Sequence, residues 1–314
     1  MKSNNNPLVS ICTLAYNHEP YIRQCLDGFL MQKTNFKFEV LIHDDASIDG
    51  TEEIIREYEA KYPDIIKALY EEENQYVLGR RGSKTFNYPR AKGKYIALCE
   101  GDDYWTDPYK LQKQVDFLEA NEEYSLCFHN AIEHWEDGSR EDSIFSDVED
   151  RDYSAVEIYK KWTIPTASVV FRKAVIDSLR YKEVGSNPKF IYGDIILFLT
   201  CAEFGKLRGF TDTMSIYRRH IGGIVYGFNL KRDYKQCIHD IEIGKVFKGK
   251  EIKNTSLFFS SSRAFRVMLH CICLRDYELL SKSFRVFLKT INLRTVVSIP
   301  RIIASFTLKK IVKK

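Results

Sequence analysis

The chain has 314 residues, 44% hydrophobic and 29% charged, with a formal net charge of +4. That composition is globular rather than disordered and allows one large core or two smaller ones. So small a charge gives no footing for nucleic-acid binding, and the excess is local: from Arg263 onward twelve Lys/Arg face only Asp276 and Glu278. The polar start Met1-Lys2-Ser3-Asn4-Asn5-Asn6-Pro7 has no apolar h-region, and the first apolar run, Leu8 to Ala15, is too short and too polar for a signal peptide. No stretch holds the roughly 18 uninterrupted apolar residues of a spanning helix. Eight cysteines then read as reduced, buried small hydrophobes, and the cytosol is the expected compartment.

Leu8 to Leu14 predicts a first buried strand that ends in the polar loop Ala15-Tyr16-Asn17-His18. Ile22, Cys25, Leu26, Phe29 and Leu30 recur at helical spacing. Phe38 to Ile42 predicts a second strand, running into His43-Asp44-Asp45-Ala46-Ser47-Ile48-Asp49-Gly50-Thr51. Asp49 and Glu52 sit at capping-box separation ahead of the Ile54, Ile55 and Tyr58 helix face. Ile65 to Tyr70 is a third strand. Such alternation argues a right-handed parallel α/β sheet with its loops gathered on one edge.

Gly79-Arg80-Arg81-Gly82-Ser83-Lys84 is a basic loop suited to an anion, and Thr85 to Lys92 is expected to be a short helix. Ile96 to Cys99 then reads as a buried strand, followed at once by Glu100, Asp102 and Asp103. Asp107 as N-cap and Pro108 at the first helical position open the next helix, with Leu111, Val115 and Leu118 on its buried face. Clustered carboxylates are costly unless a cation or solvent neutralises them, and oxygen ligands suit Mg²⁺ or Mn²⁺. At the carboxyl edge of a parallel sheet they stand where ligands bind. Alone, the cluster would equally suit a solvated acidic turn.

Asp137 to Asp152 reads as an exposed loop, and Ser154 with Glu157 as a capping box. Further on, Asp194 opens the apolar helical run Ile195 to Phe198. The chain is expected to divide into a catalytic domain, 1–225, and a basic, mostly helical extension, 226–314. In that extension Ile299, Ile302, Ile303 and Phe306, less regularly Ile311 and Val312, line one side of a terminal helix. Arg301, Lys309, Lys310, Lys313 and Lys314 decorate the rest, a pattern that suits an anionic membrane surface or a helix packed on its own protein.

Val9-Ser10-Ile11-Cys12-Thr13-Leu14-Ala15-Tyr16-Asn17, the double-Asp segment Glu39 to Thr51, and Glu100-Gly101-Asp102-Asp103 together resemble family 2 glycosyltransferases of the GT-A fold over roughly residues 7 to 225. The resemblance implies a Rossmann-like mixed, mostly parallel sheet flanked by helices, and an inverting transferase using a nucleotide-diphospho-sugar, first of all a UDP-sugar. It places the nucleotide on Thr13, Ala15, Tyr16, Asn17, Asp44, Ser47, Lys84, Glu100 and Gly101. Asp102, Asp103 and His220 are the implied metal ligands, Arg218 and Arg219 the phosphate contacts, and Asp194 the catalytic base. Thr166, Ser168 and Trp105 are implied on the acceptor side. Glu100 departs from the family's usual first Asp, which leaves its role open between ribose contact and ligand. The expected partners are the donor, a glycan or lipid-linked acceptor in cell-surface polysaccharide synthesis, and the inner face of the cell membrane. The alternative is a nucleotide-sugar-binding subunit of a glycan assembly complex that keeps the fold without turnover, and the complete set Asp44, Asp102, Asp103 and Asp194 favours the enzyme over it.

Overall fold

The computed structural model describes residues 6–80, 82–223 and 229–311. Arg81, Val312, Lys313 and Lys314 lie outside them, as do the side chains of Lys309, Lys310 and Ile311. The chain divides into two compact units, Met1–Lys182 with Leu197–Tyr226, and Glu183–Ile196 with Gly227–Lys314. The expected 1–225 and 226–314 division differs from this by the segment 183–196, which groups with the helical extension and carries Asp194.

The strands are β1 (Val9–Ala15), β2 (Phe38–Asp44), β3 (Ile66–Tyr70), β4 (Tyr95–Leu98), β5 (Tyr104–Trp105), β6 (Tyr124–Trp135), β7 (Ser143–Ile144), β8 (Asp152–Tyr153), β9 (Val170–Arg172) and β10 (Lys206–Arg219). They form one mixed sheet in the order β3-β2-β1-β4-β9-β6-β10-β5, with β7 on β6 and β8 on β10. β1 pairs parallel with β2 and β4, and β6 parallel with β10. β9 runs antiparallel between β4 and β6, so β1, β2, β4 and β10 all end on the same edge. Parallel strands covered on both faces need continuous apolar runs, and Val9, Ile11, Val40, Ile42, Tyr95 and Ile96 are all fully buried.

Helices α1 (Ile22–Leu30), α2 (Thr51–Lys61), α3 (Lys110–Ala120), α4 (Ala155–Lys161), α5 (Ala174–Asp177), α6 (Leu179–Gly185) and α7 (Gly193–Phe204) follow in order. α1 seals Ile22, Leu26 and Phe29 into the core with Leu111, Val115 and Leu118 of α3. Each such aliphatic contributes about 1.5–3 kcal/mol by leaving water. α4 has the expected capping box, with Ser154 Oγ accepting from Glu157 N. Two local expectations fail. α3 begins at Lys110, because the Asp107 carboxylate accepts from Tyr109 N at 2.7 Å and pairs with Lys113, closing a turn ahead of the helix. Thr85 to Lys92 is a π turn, Ser83–Asn87, and a 3₁₀ turn, Tyr88–Arg90. Pro89 lacks an N–H, and the buried Asn87 side-chain amide donates to Thr13 O at 2.9 Å, tying the turn to β1.

Lys110 is fully buried beneath the Trp105 ring, 4.1 Å from its centroid, with Nζ donating to Gln114 Oε1 at 2.8 Å. Burial pulls this ammonium down to about 7. Below that pH the fold carries a desolvated charge that the unfolded chain solvates. Between about pH 7 and 10 the unfolded chain holds the extra proton, so this group's contribution to stability rises with pH, while the buried cysteines, whose thiols burial pushes up, oppose it above about pH 8. A slope of Tm against pH that is more positive in the native protein than in Lys110→Met between about pH 7 and 10 is the expected result. An unchanged slope in the variant would locate the titration elsewhere.

In the second unit, α8 (Leu230–Val246), α9 (Lys250–Leu274), α10 (Tyr277–Thr290) and α11 (Leu293–Ile311) pack around α9. By length and composition α9 is apolar enough to cross a membrane, which its sequence conceals by interrupting the run with serines. Those serines are buried against neighbours: Ser260 Oγ donates to Cys237 O of α8 at 3.0 Å, and Ser261 Oγ lies 2.5 Å from Thr295 Oγ1 of α11. The stripe expected on α11 faces inward in part. Ile299 packs on the Cys237, Ala264, Val286 and Phe287 cluster, and the Phe306 ring meets His270 at 4.7 Å. Leu293, Val296, Val297 and Ile303 are exposed instead.

Candidate active site

Three loops meet where β1, β2 and β4 end. At the end of β1, Asn17 adopts φ 54°, its N–H donating to Ser47 Oγ at 2.9 Å while its side-chain oxygen accepts from Ile48 N at 2.9 Å. Asn tolerates this left-handed backbone better than most residues. The next residue, His18, is fixed by its N–H donating to Thr51 Oγ1 at 2.8 Å. The first two loops are thus stitched to each other before any ligand arrives.

At the end of β2, Asp44 is fully buried and accepts from Ser47 Oγ at 2.5 Å and Ser47 N at 3.2 Å. Desolvation raises its carboxyl above the usual range, partly offset by these two bonds. Asp45 turns to the far side and accepts from Gln75 N at 2.6 Å and Tyr76 N at 3.1 Å. Thr13 is buried in β1 and its hydroxyl has no hydrogen-bond partner, whereas Tyr16 stands 43% exposed at the strand's end. Ala15, also buried, accepts from Asp45 N at 2.9 Å. Lys84 lies in the π turn behind them.

After β4 the chain turns tightly, and Gly101 donates from its N–H to Leu14 O at 2.8 Å. A Cβ here would stand 2.9 Å from both His18 Nδ1 and Leu14 O. Only glycine lets this turn approach the His18 ring so closely. Glu100 is half-buried, and its carbonyl accepts from Asp103 N and the Cys25 thiol.

The carboxylates after β4 then diverge. Asp102 faces two imidazoles: Oδ2 lies 2.9 Å from His220 Nε2 and 3.9 Å from His18 Nε2. One ligand atom from each of these three residues lies within 4.8 Å of the others. Desolvation raises the Asp102 carboxyl, but the His220 bond and the charges of both imidazoles outweigh it and hold it below the usual range. Asp103 is buried, and its Oδ1 accepts from Arg218 N at 2.9 Å. Desolvation, then the neighbouring Asp102, push its carboxyl well above the usual range. Asp103 thus pins the end of β10, which delivers His220.

Of the implied metal residues, the structure brings Asp102 and His220 together, turns Asp103 to the β10 backbone, and adds His18. The His18 ring is pushed below its usual pKa by burial, and its Nδ1 has no hydrogen-bond partner. A half-buried imidazole whose Nε2 faces a carboxylate that a second imidazole also reaches fits a divalent cation. Two nitrogen donors make Mn²⁺ more apt than Mg²⁺, which prefers oxygen. Proximity of Asp102 and His18 was invisible in the sequence, since they belong to different strand ends.

Arg218 and Arg219 are both committed to carboxylates. The Arg218 guanidinium is buried between the Tyr21 and Tyr104 rings, 3.1 Å from Glu136 and bonded to Gln24; Arg219 Nε donates to Glu133 at 2.6 Å. The three acceptor-side candidates form a group of their own. Trp105 is buried and its Nε1 donates to Ala167 O at 2.8 Å, while Ser168 Oγ turns back to Pro165 O at 2.6 Å. Thr166, half-buried, begins the same 3₁₀ turn, Thr166–Ser168. In the second unit, Asp194 caps the first turn of α7, its Oδ1 accepting from Ile195 N at 2.8 Å. Burial drives its carboxyl up to about 6.

The sequence profile described as Glycosyl transferase family 2 matches residues 10–180, more than half the chain and all of these three loops. The chain belongs to that family. The uncharacterized protein Rv1520 of Mycobacterium tuberculosis is 41% identical over 217 residues, covering 69% of this chain and 60% of its own length. This chain therefore spans about three fifths of that relative. UDP-Glc:alpha-D-GlcNAc-diphosphoundecaprenol beta-1,3-glucosyltransferase WfaP of Escherichia coli is 28% identical over 218 residues, covering 69% of this chain and 79% of WfaP. Among solved structures, S. aureus TarS in complex with UDP-GlcNAc matches with a TM-score of 0.67 and 17% identity, covering 91% of this chain and 82% of that one. At that identity the likeness shows the fold. The family's sheet with its flanking helices accounts for the strand order above, in which every loop of the candidate site leaves the same edge.

Proposed function

We propose that this family 2 domain is an inverting, metal-dependent glycosyltransferase. It moves a sugar from a nucleotide-diphospho-sugar, first of all a UDP-sugar, to a glycan or lipid-linked glycan in cell-surface polysaccharide synthesis. The observation that carries this reading is the His18, Asp102 and His220 cluster on the sheet edge shared with Asp44 and Ser47. The match to TarS, a structure holding UDP-GlcNAc, and the relative WfaP, a glucosyltransferase by name, support the donor class.

In this reading Asp44, held by Ser47, accepts from the base, and the exposed Tyr16 ring lies along it. His18, Asp102 and His220 would hold the cation, Mn²⁺ by their donor set. When bound, that cation supplies Lewis-acid neutralisation of the leaving diphosphate. Asp194 takes the acceptor hydroxyl's proton as the new bond to the anomeric carbon forms and the old one breaks, its electron pair leaving with the nucleoside diphosphate. The exposed Leu293, Val296 and Val297 of α11, with Arg294 and Arg301 beside them, support contact with an anionic membrane surface on the cytoplasmic side.

The test is a thermal-shift panel of UDP- and GDP-sugars with and without Mn²⁺. A donor that binds the native state raises Tm by mass action. The expected result is a Mn²⁺-dependent rise with at least one UDP-sugar. No rise with any nucleotide or nucleotide sugar would remove the donor assignment.

A further inference from the structure

The helical unit holds a cavity of about 700 Å³ that the transfer reaction does not use. Its apolar lining comes from Ile238 and Ile241 of α8, Leu257 of α9 and Val286 of α10. Six cations also line it: Lys189, Lys245, Lys253, Lys282, Arg285 and Lys289. Glu242 is the one carboxylate in the lining, and it is already shared by Lys189 at 3.2 Å and Lys245 at 2.8 Å. Lys282 is paired with Glu278 at 2.5 Å. Among the described residues, Lys253, Arg285 and Lys289 have no carboxylate partner.

Three exposed cations without carboxylate partners around one concavity make its mouth attractive to an anion. A free anion would satisfy them but leave the aliphatic side chains facing water. An amphiphile with an anionic head satisfies both, because arginine and lysine take phosphate oxygens while a hydrocarbon chain covers the isoleucines and leucine. We propose that this cavity seats the phosphate head and first methylenes of an anionic phospholipid. That gives the helical unit a lipid-specific hold separate from the exposed face of α11. The inference deepens the membrane part of the reading above, and its test is a binding measurement that does not depend on sugar transfer.

Full-length protein is titrated with dihexanoyl phosphatidylglycerol below its micellar concentration, and in separate arms with dihexanoyl phosphatidylcholine and with inorganic pyrophosphate. Saturable binding of the phosphatidylglycerol alone is expected, weakened about tenfold or more, near 1.4 kcal/mol per decade, in K253Q/R285Q/K289Q and also in Leu257→Gln. Undiminished binding in the triple variant overturns the proposal. So does pyrophosphate binding as tightly as the lipid, which would make this a site for free anions. Cosedimentation with phosphatidylcholine vesicles containing one-third phosphatidylglycerol closes the test. Reduced attachment of the triple variant supports the cavity, and unchanged attachment overturns it while leaving contact through α11 standing.

Discussion

Asp102→Ala is expected to abolish the Mn²⁺-dependent part of donor stabilisation and to lower sugar transfer by about a thousandfold or more, the scale of losing a main electrostatic stabiliser of the leaving group. The fold should survive. Asp102 is the member of the acidic turn whose carboxylate is spent on the two imidazoles, whereas Asp103 carries the structural bond to Arg218 N. The two aspartates should therefore separate by phenotype. Asp103→Ala removes an acceptor from a buried backbone N–H, which costs about 1–3 kcal/mol of stability, and should lower Tm before it lowers metal affinity. Asp102→Ala removes a carboxylate whose bond to His220 outweighs its desolvation, so it too should lower Tm in metal-free buffer, and only Asp102→Ala should also remove the Mn²⁺-dependent rise. Full transfer activity in Asp102→Ala would remove the metal assignment. Equal losses of the Mn²⁺-dependent stabilisation in both variants would remove the division of labour between them.

Much of the site's frame was legible because it is written in continuous segments. The apolar runs of β1, β2 and β4 announce strands covered on both faces, and the polar loops after them follow directly in the sequence. The capping box of α4 was legible for the same reason, since both its partners lie within one turn. What periodicity cannot supply is the identity of whatever covers a face. The Ile299 and Phe306 stripe of α11 looks the same whether it meets a bilayer or the α9 and α10 side chains it does touch in part. Nor can it supply a contact between loops, so His18 read as one polar residue among several until the Asp102 turn closed on it. Asp107 and Asn87 mark a third limit. Each is a residue whose side chain bonds away from the helix its position suggested.

Asp194→Asn is expected to keep donor affinity and lose turnover, by about a hundred- to ten-thousandfold, because a proton acceptor is removed while its shape and its bond to Ile195 N are retained. The carboxyl's environment adds two pH signatures. With a pKa near 6, the group is ionised and able to accept a proton at neutral pH, so transfer by the native enzyme should fall below about pH 6 with a slope near one proton. The second signature is in stability. A carboxyl raised from its ordinary value near 4 binds its proton more tightly in the fold than in the unfolded chain. Between about pH 4 and 6 the native state therefore holds more protons than the unfolded one, and stability falls as pH rises through that window. Above it the fold bears the full cost of a desolvated charge. Asp194→Asn removes that cost and should raise Tm at pH 8 but not at pH 4. An aspartate serving only to cap α7 would behave in the opposite way, since replacing an ionised cap by a neutral amide weakens its bond to the N–H and its attraction to the helix dipole. The sign of the Tm change at pH 8 thus separates a strained base from an ordinary cap, independently of any assay of transfer.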